Sequence, residues 1–317
     1  MWQEELAESL RDEIEAVLAL MPNVRGLRDL VREPLKKAGR ALSVLDEHEL
    51  PWPLLPLLVH ESISGKYDRA LPVAASIQFL MAACDVFDDI EDADSIDSLP
   101  SKYGNAVATN VATALLFLGE QAILRLNRQG VNIESIIRIM EAINLSYTIA
   151  CAGQHLDLSS LSEYPFPEET YLEVISMKSA SQIECACRVG AMLASNNQGL
   201  VDIFATFGHD LGMAAQITND IQGAISGGDI TRRKITLPII YALTQSNGEV
   251  RRQLELAFFN QSKCEIDPNP IKDLLFRTGA IQYATIKMQC YKQQAMDIAS
   301  KAESAGVNVG WMTLFWV

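Results

Sequence analysis

The chain has 317 residues and a formal net charge of −14, with 49% hydrophobic and 21% charged residues. That balance supports a large buried core and excludes wholesale disorder. The acidic excess excludes nucleic acid and anionic membrane surfaces as partners, since both require clustered Lys and Arg; an anionic substrate stays admissible if a divalent cation stands between the two negative charges.

Helical periodicity governs the sequence, and no strand-and-hairpin rhythm is present. Leu6, Leu10, Ile14, Val17 and Leu18 recur at helical spacing until Pro22 stops them. This first stretch is an acidic amphipathic helix rather than a signal peptide. The apolar run 50–59 contains Pro51, Pro53 and Pro56 and is too short to span a bilayer, so no stable membrane insertion is expected. Further helical patterns cover 69–93, 105–128, 132–158, 168–195, 199–226 and 271–303. The turn-rich breaks at 94–104, 164–167, 226–229 and 267–270 are brief. A single all-α domain over residues 1–317 is therefore expected. The six cysteines, Cys84, Cys151, Cys185, Cys187, Cys264 and Cys290, show no CxxC spacing and fit a reducing, cytoplasmic setting.

The 74–84 stretch is apolar around most of its circumference, as befits the centre of a bundle. Charge on such a helix is costly unless paired or metal-bound. The run Asp85-Val-Phe-Asp-Asp-Ile-Glu-Asp92 places Asp85, Asp88 and Asp92 on one helical face. A solvated acidic face is the bland alternative, but like charges in one stripe repel, and acids meet the negative end of the macrodipole at a helix C-terminus. Hard oxygen donors of this kind suit magnesium, which completes its shell with water and phosphate oxygens.

A second polar cluster, Gln216, Asn219 and Asp220, interrupts an apolar helix and is followed by a Gly-rich turn and Asp229. Arg232, Arg233 and Lys234 then precede a helix with Pro238 in its first turn. This block reads either as a flexible diphosphate clamp or as a helix connection with solvated charges. Lys178 stands among small residues and carries weight only in company. Gln154 and Asp157 are either polar bundle residues or secondary site residues.

Taken together, these segments resemble the trans-isoprenyl diphosphate synthase family. Asp88-Asp-Ile-Glu-Asp92 matches its first aspartate-rich motif, Gly153-Gln154…Asp157 its GQxxD segment, and Lys178 its KT-type lysine. Gln216-x-x-Asn219-Asp220 matches its second motif, and Lys234 in Lys-Ile-Thr-Leu-Pro its GKxTLP lysine. The resemblance implies an orthogonal α-bundle with a central apolar pocket and three magnesium ions that draw the diphosphate off an allylic carbon. It assigns metal binding to Asp85, Asp88, Asp92, Asn219 and Asp220. It assigns catalytic or substrate contacts to Lys178, Lys234, Gln216, Arg233, Gln154 and Phe87. Phe79, Phe87 and Phe117 are candidates to line the pocket or are plain core. A homodimer is expected.

The departures from the family narrow the activity. Elongating synthases carry GKRxRP where this chain reads His48-Glu-Leu-Pro-Trp-Pro-Leu-Leu-Pro56, and Arg-Arg-Gly where it reads Asp94-Ser-Ile-Asp-Ser-Leu. Those arginines grip the diphosphate of the isopentenyl co-substrate. Gly223 stands where the family has an aspartate; Gly223 and Gly227 are read as water-filled spaces, so Gly223→Ser is expected to be mild. Two subfamilies share such losses: synthase-like class I terpene synthases, which quench the cation by proton loss or water, and ComQ-like pheromone prenyltransferases, whose acceptor is a peptide tryptophan. The terpene synthase is the preferred expectation.

Overall fold

The computed structural model describes residues 2–22, 24–43, 51–92, 97–160, 167–259, 266–304 and 306–315. His48, Leu50, residues 94–96 of the first break, residues 164–166 of the second, and Cys264 lie outside the described residues. Among the described residues every regular element is helical. In chain order these are α1 (Trp2–Leu18), α2 (Leu27–Leu35), α3 (Leu55–Ser64), α4 (Leu71–Asp92), α5 (Leu99–Tyr103), α6 (Asn105–Leu124) and α7 (Ile133–Ser160). They continue with α8 (Glu168–Ile175), α9 (Ser181–Ala194), α10 (Gln198–Ser226), α11 (Gly228–Arg232) and α12 (Leu237–Gln245). The last three are α13 (Gly248–Phe259), α14 (Pro268–Arg277) and α15 (Ala280–Ser304).

The expected pattern over 168–195 is continuous in space but not uniform. Between α8 and α9 a π-helical stretch, Ser176–Ala180, carries Lys178. The pattern read as one helix over 271–303 is two. Gly279, at φ +79, takes the left-handed conformation that a side chain resists, and it lies between the end of α14 at Arg277 and the start of α15 at Ala280. Helix starts follow local chemistry: Asp267 caps α14 by accepting from the Asn269 amide at 3.1 Å, with Pro268 in the first turn.

The chain divides into two compact units, neither of them contiguous. One comprises Met1–Leu145, Ile183–Ala205 and Ile298–Val317; the other comprises Ser146–Gln182 and Thr206–Asp297. In the first unit α4 is the central element, with Val73, Ile77, Phe79, Ala82 and Val86 buried. Each large apolar side chain so buried contributes about 1.5–3 kcal/mol. Gly119 lets α6 lie close: a Cβ there would be 3.0 Å from Leu80 Cγ. By length and composition alone, 68–92 and 105–129 could each cross a membrane, yet 78% of the first window is buried, as in a core helix. In the second unit Tyr171, Ile175, Met213, Ile217, Leu237 and Ile240 form one apolar cluster beneath the polar residues of α10. Ile230, Ile239, Leu254, Leu274 and Leu275 form another under α11.

Candidate active site

The first acidic motif occupies the last two turns of α4, where its apolar circumference ends. Asp85, Asp88, Asp89 and Asp92 are all half-buried, and no basic residue lies in that last turn. The compensating charge comes from the segment after α2. Arg40 donates from Nε to Asp85 Oδ2 at 2.9 Å and from Nη2 to both carboxylate oxygens at 2.7 and 2.8 Å. Lys37 Nζ donates to Asp89 Oδ2 at 2.7 Å. The Ala41 amide donates to Gln78 Oε1 at 2.6 Å and fixes the segment to α4. Asp85, expected among the metal ligands, is thus in a bidentate ion pair. Asp88 and Asp92, four residues apart on α4, share one helical face. The sequence reading missed Lys37 and Arg40; the basic run 36–40 was the available signal, but its partners lie about 50 positions away.

Of the three aromatic candidates, Phe79 is fully buried core and Phe87 is half-buried beside Asp88 in sequence. Phe117 is 59% exposed on α6 rather than buried within its unit. Helical spacing alone does not distinguish an inward aromatic from an outward one.

The second unit holds the remaining candidates. Lys178 Nζ donates to Asp157 Oδ2 at 2.9 Å, so the GQxxD aspartate and the lysine are brought together as an ion pair. Gly153 makes the approach possible: a Cβ there would lie 2.7 Å from Met177 Cβ and would run into the Lys178 amide nitrogen. Gln154, on the same stretch of α7, is half-buried. On α10, Gln216 accepts from Ser179 Oγ at 2.9 Å and donates to Asp220 Oδ1 at 2.9 Å. Tyr171 Oη donates to Asp220 Oδ2 at 2.5 Å, a partner that nothing in the sequence announced. Burial pushes the Asp220 carboxyl up to about 7, against the downward pull of the bonds from Tyr171 and Gln216. Asp229 adds to the push and Lys234 opposes it, which places both charges near Asp220.

Of the block read either as a flexible clamp or as a helix connection, Gly228–Arg232 is wound into α11, and Arg233 and Lys234 follow its end. Arg232 pairs with the buried Asp229 at 3.1 Å, and the Lys234 amide donates to the Asp229 carbonyl at 2.9 Å. Arg233 and Lys234 are half-buried, and Arg233 sits at φ +57, a left-handed conformation costly for a non-glycine residue. Gly223 is no water-filled space. A Cβ there would collide with Oδ2 and Cγ of Asp229 and lie 2.7 Å from its Oδ1. The Asp229 carboxylate, 6% exposed, occupies the room that a side chain at 223 would need. The mild effect expected of Gly223→Ser is corrected accordingly.

Among the described residues no group of three His, Cys, Asp or Glu side chains forms a closed metal cage. Magnesium does not require one, since it binds through one or two carboxylates and takes its other ligands from water and phosphate. Asp88 with Asp92, and Asn219 with Asp220 and Asp229, are hard oxygen donors of that kind.

The polyprenyl synthetase family model matches residues 52–273. A geranylgeranyl diphosphate synthase of Sulfolobus acidocaldarius is 27% identical over 84% of this chain and 85% of its own length. A tryptophan prenyltransferase, ComQ, of Bacillus spizizenii is 25% identical over 89% of this chain and 99% of its own length. A polyprenyl synthase of Caulobacter crescentus, solved with calcium and isoprenyl diphosphate, shares the fold at a TM-score of 0.80 and 19% identity, covering 99% of this chain and 94% of that one.

Proposed function

Because the chain belongs to the polyprenyl synthetase family, we propose that it ionises an allylic prenyl diphosphate and passes the prenyl group to a partner other than isopentenyl diphosphate. One observation carries this reading. Where elongating members have GKRxRP, this chain reads His48-Glu-Leu-Pro-Trp-Pro-Leu-Leu-Pro56, with no basic residue but His48, and in its described part Leu54 and Leu55 are at most 1% exposed. A segment packed into the core offers nothing to a second diphosphate. The nearby cations Lys37 and Arg40 are already engaged by Asp89 and Asp85.

In this reading Asp88 and Asp92 hold magnesium in one unit, and Asn219 and Asp220, with Asp229, hold it in the other. Magnesium, when bound, neutralises charge on the departing diphosphate. Lys178, Lys234 and Arg233 add positive charge to the phosphate oxygens, a charge-assisted contact being worth about 1.5–3 kcal/mol each. Asp157 orients Lys178, and Gln216 with Tyr171 orients Asp220. Gln154 is a further polar contact, and Phe87 offers an aromatic face to developing positive charge. A cytoplasmic setting suits the free cysteines Cys84, Cys151, Cys185, Cys187 and Cys290. A homodimer suits the apolar side chains exposed on α6 and α7.

Two fates of the prenyl group follow. Transfer to an aromatic side chain of a peptide is favoured by the ComQ relative, matched over nearly its whole length. Proton loss, one terpene synthase outcome, is favoured by His209 on α10, whose Nε2 lies 2.9 Å from Ser176 Oγ of the π-helical stretch; capture by water is the other such outcome. The test is incubation of the purified chain with magnesium and C10, C15 and C20 allylic diphosphates, with and without a tryptophan-containing peptide and isopentenyl diphosphate. Diphosphate release and mass spectrometry of the products are read. Prenylated peptide supports the first fate, alkene or alcohol the second. Longer prenyl diphosphates would overturn the non-elongating reading, and absence of diphosphate release would overturn the activity.

A further inference from the structure

The π-helical stretch and α10 are joined by a second polar contact besides Ser179–Gln216. Ser176 Oγ lies 2.9 Å from His209 Nε2, and His209 Nδ1 lies 3.4 Å from Asp210 Oδ1. Ser176 and His209 are half-buried, while Asp210 is 8% exposed. With the ring proton on Nδ1 toward the carboxylate, Nε2 presents its lone pair to the Ser176 hydroxyl. That tautomer lets a hydroxyl pass a proton to imidazole, and the adjacent carboxylate steadies the imidazolium that results. His209 precedes Gln216 by seven residues, so both lie on one face of α10, about 10 Å apart along its axis.

The proposed ionisation needs such a group, and the inference rests on that reading. Each non-elongating fate of an allylic cation releases one proton. Attack by an aromatic ring forms one bond to the prenyl carbon and expels a ring proton. Alkene formation turns a C–H pair into the π bond and expels that proton. Water capture forms a C–O bond and expels an O–H proton. We infer that Ser176 and His209 form the relay that receives the proton in the first two fates. The substrate's proton passes to Ser176 Oγ as the hydroxyl proton passes to His209 Nε2, and Asp210 holds the ring in position. The leaving diphosphate is the competing base. In the proposed site it is held near Asn219, ten residues along α10 from His209 and about 15 Å away by helix rise.

The test measures product partition per diphosphate released, for the wild type, His209→Gln and Ser176→Ala. Magnesium and farnesyl, geranyl or geranylgeranyl diphosphate are the probes, with a tryptophan-containing peptide present. A positioned general base contributes about 10²–10⁴-fold. Alkene plus prenylated peptide therefore falls at least about tenfold relative to prenyl alcohol in His209→Gln, because bulk water needs no relay. Ser176→Ala, which deletes one hydroxyl, shifts the partition the same way and carries the test if His209→Gln does not fold. An unchanged partition in both variants overturns the relay and leaves the ionisation reading standing. A wild-type chain that makes only alcohol also overturns it. A wild-type chain that releases no diphosphate overturns the ionisation reading and the relay together.

Discussion

Asp220 shows how far a residue's neighbours decide what it does. Its identity and its place beside Gln216 were legible in the sequence, because four residues on a helix bring side chains together. Tyr171, 49 positions earlier, was not, since only the folded packing of α8 on α10 delivers its hydroxyl. The same holds for Arg40, 45 positions from Asp85. The resulting carboxyl, raised from 3.8 to about 7, makes a definite prediction. Between those values the folded chain keeps a proton that the unfolded chain gives up. This contribution is fully present below pH 4 and lost as pH rises through 7. Asp220→Asn removes the titration. Urea unfolding of the metal-free wild type, compared with Asp220→Asn at pH 5 and pH 7.5, should show the wild type losing more stability than the variant. Parallel losses in the two proteins would mean that the carboxyl is ionised throughout.

The helices themselves were largely readable, since their apolar residues recur with a helical period and their ends carry Pro, Gly or Asp. What periodicity could not give was the π stretch. Ser-Met-Lys-Ser-Ala contains too few apolar residues to reveal a change of pitch. Nor could it give the fit of α11 against α10, which depends on an empty volume rather than on a side chain. There the sequence suggested a missing ligand at Gly223, and the structure shows the Asp229 carboxylate in its place. Gly223→Ser should therefore cost about 1–3 kcal/mol through overpacking. Pairing it with Asp229→Ala should restore much of that loss. The shift in the urea midpoint of the single and double variants measures both effects. An unchanged midpoint in Gly223→Ser would show that α11 moves aside freely.

At the scale of the whole molecule the fold class was legible and the surface was not. Phe117 and Leu124 on α6, and Ile133 and Ile137 on α7, are exposed where a soluble monomer would carry polar residues. If a second copy covers these positions, the purified chain sediments at twice its mass and Phe117→Glu shifts it toward the single chain. Sedimentation of the wild type as a monomer at micromolar concentration would discard the dimer. The sequence also gave no hint that each unit is assembled from separated stretches, three for one and two for the other. That arrangement has a genetic consequence. A premature stop after residue 250 would remove residues 298–317 from one unit and 251–297 from the other, so it leaves neither whole. Recombination with a related gene at any point between codons 146 and 297 would likewise join halves of different parentage within a single unit. The gene can be exchanged as a whole more readily than in parts, and its variation should accumulate by substitution rather than by shuffling.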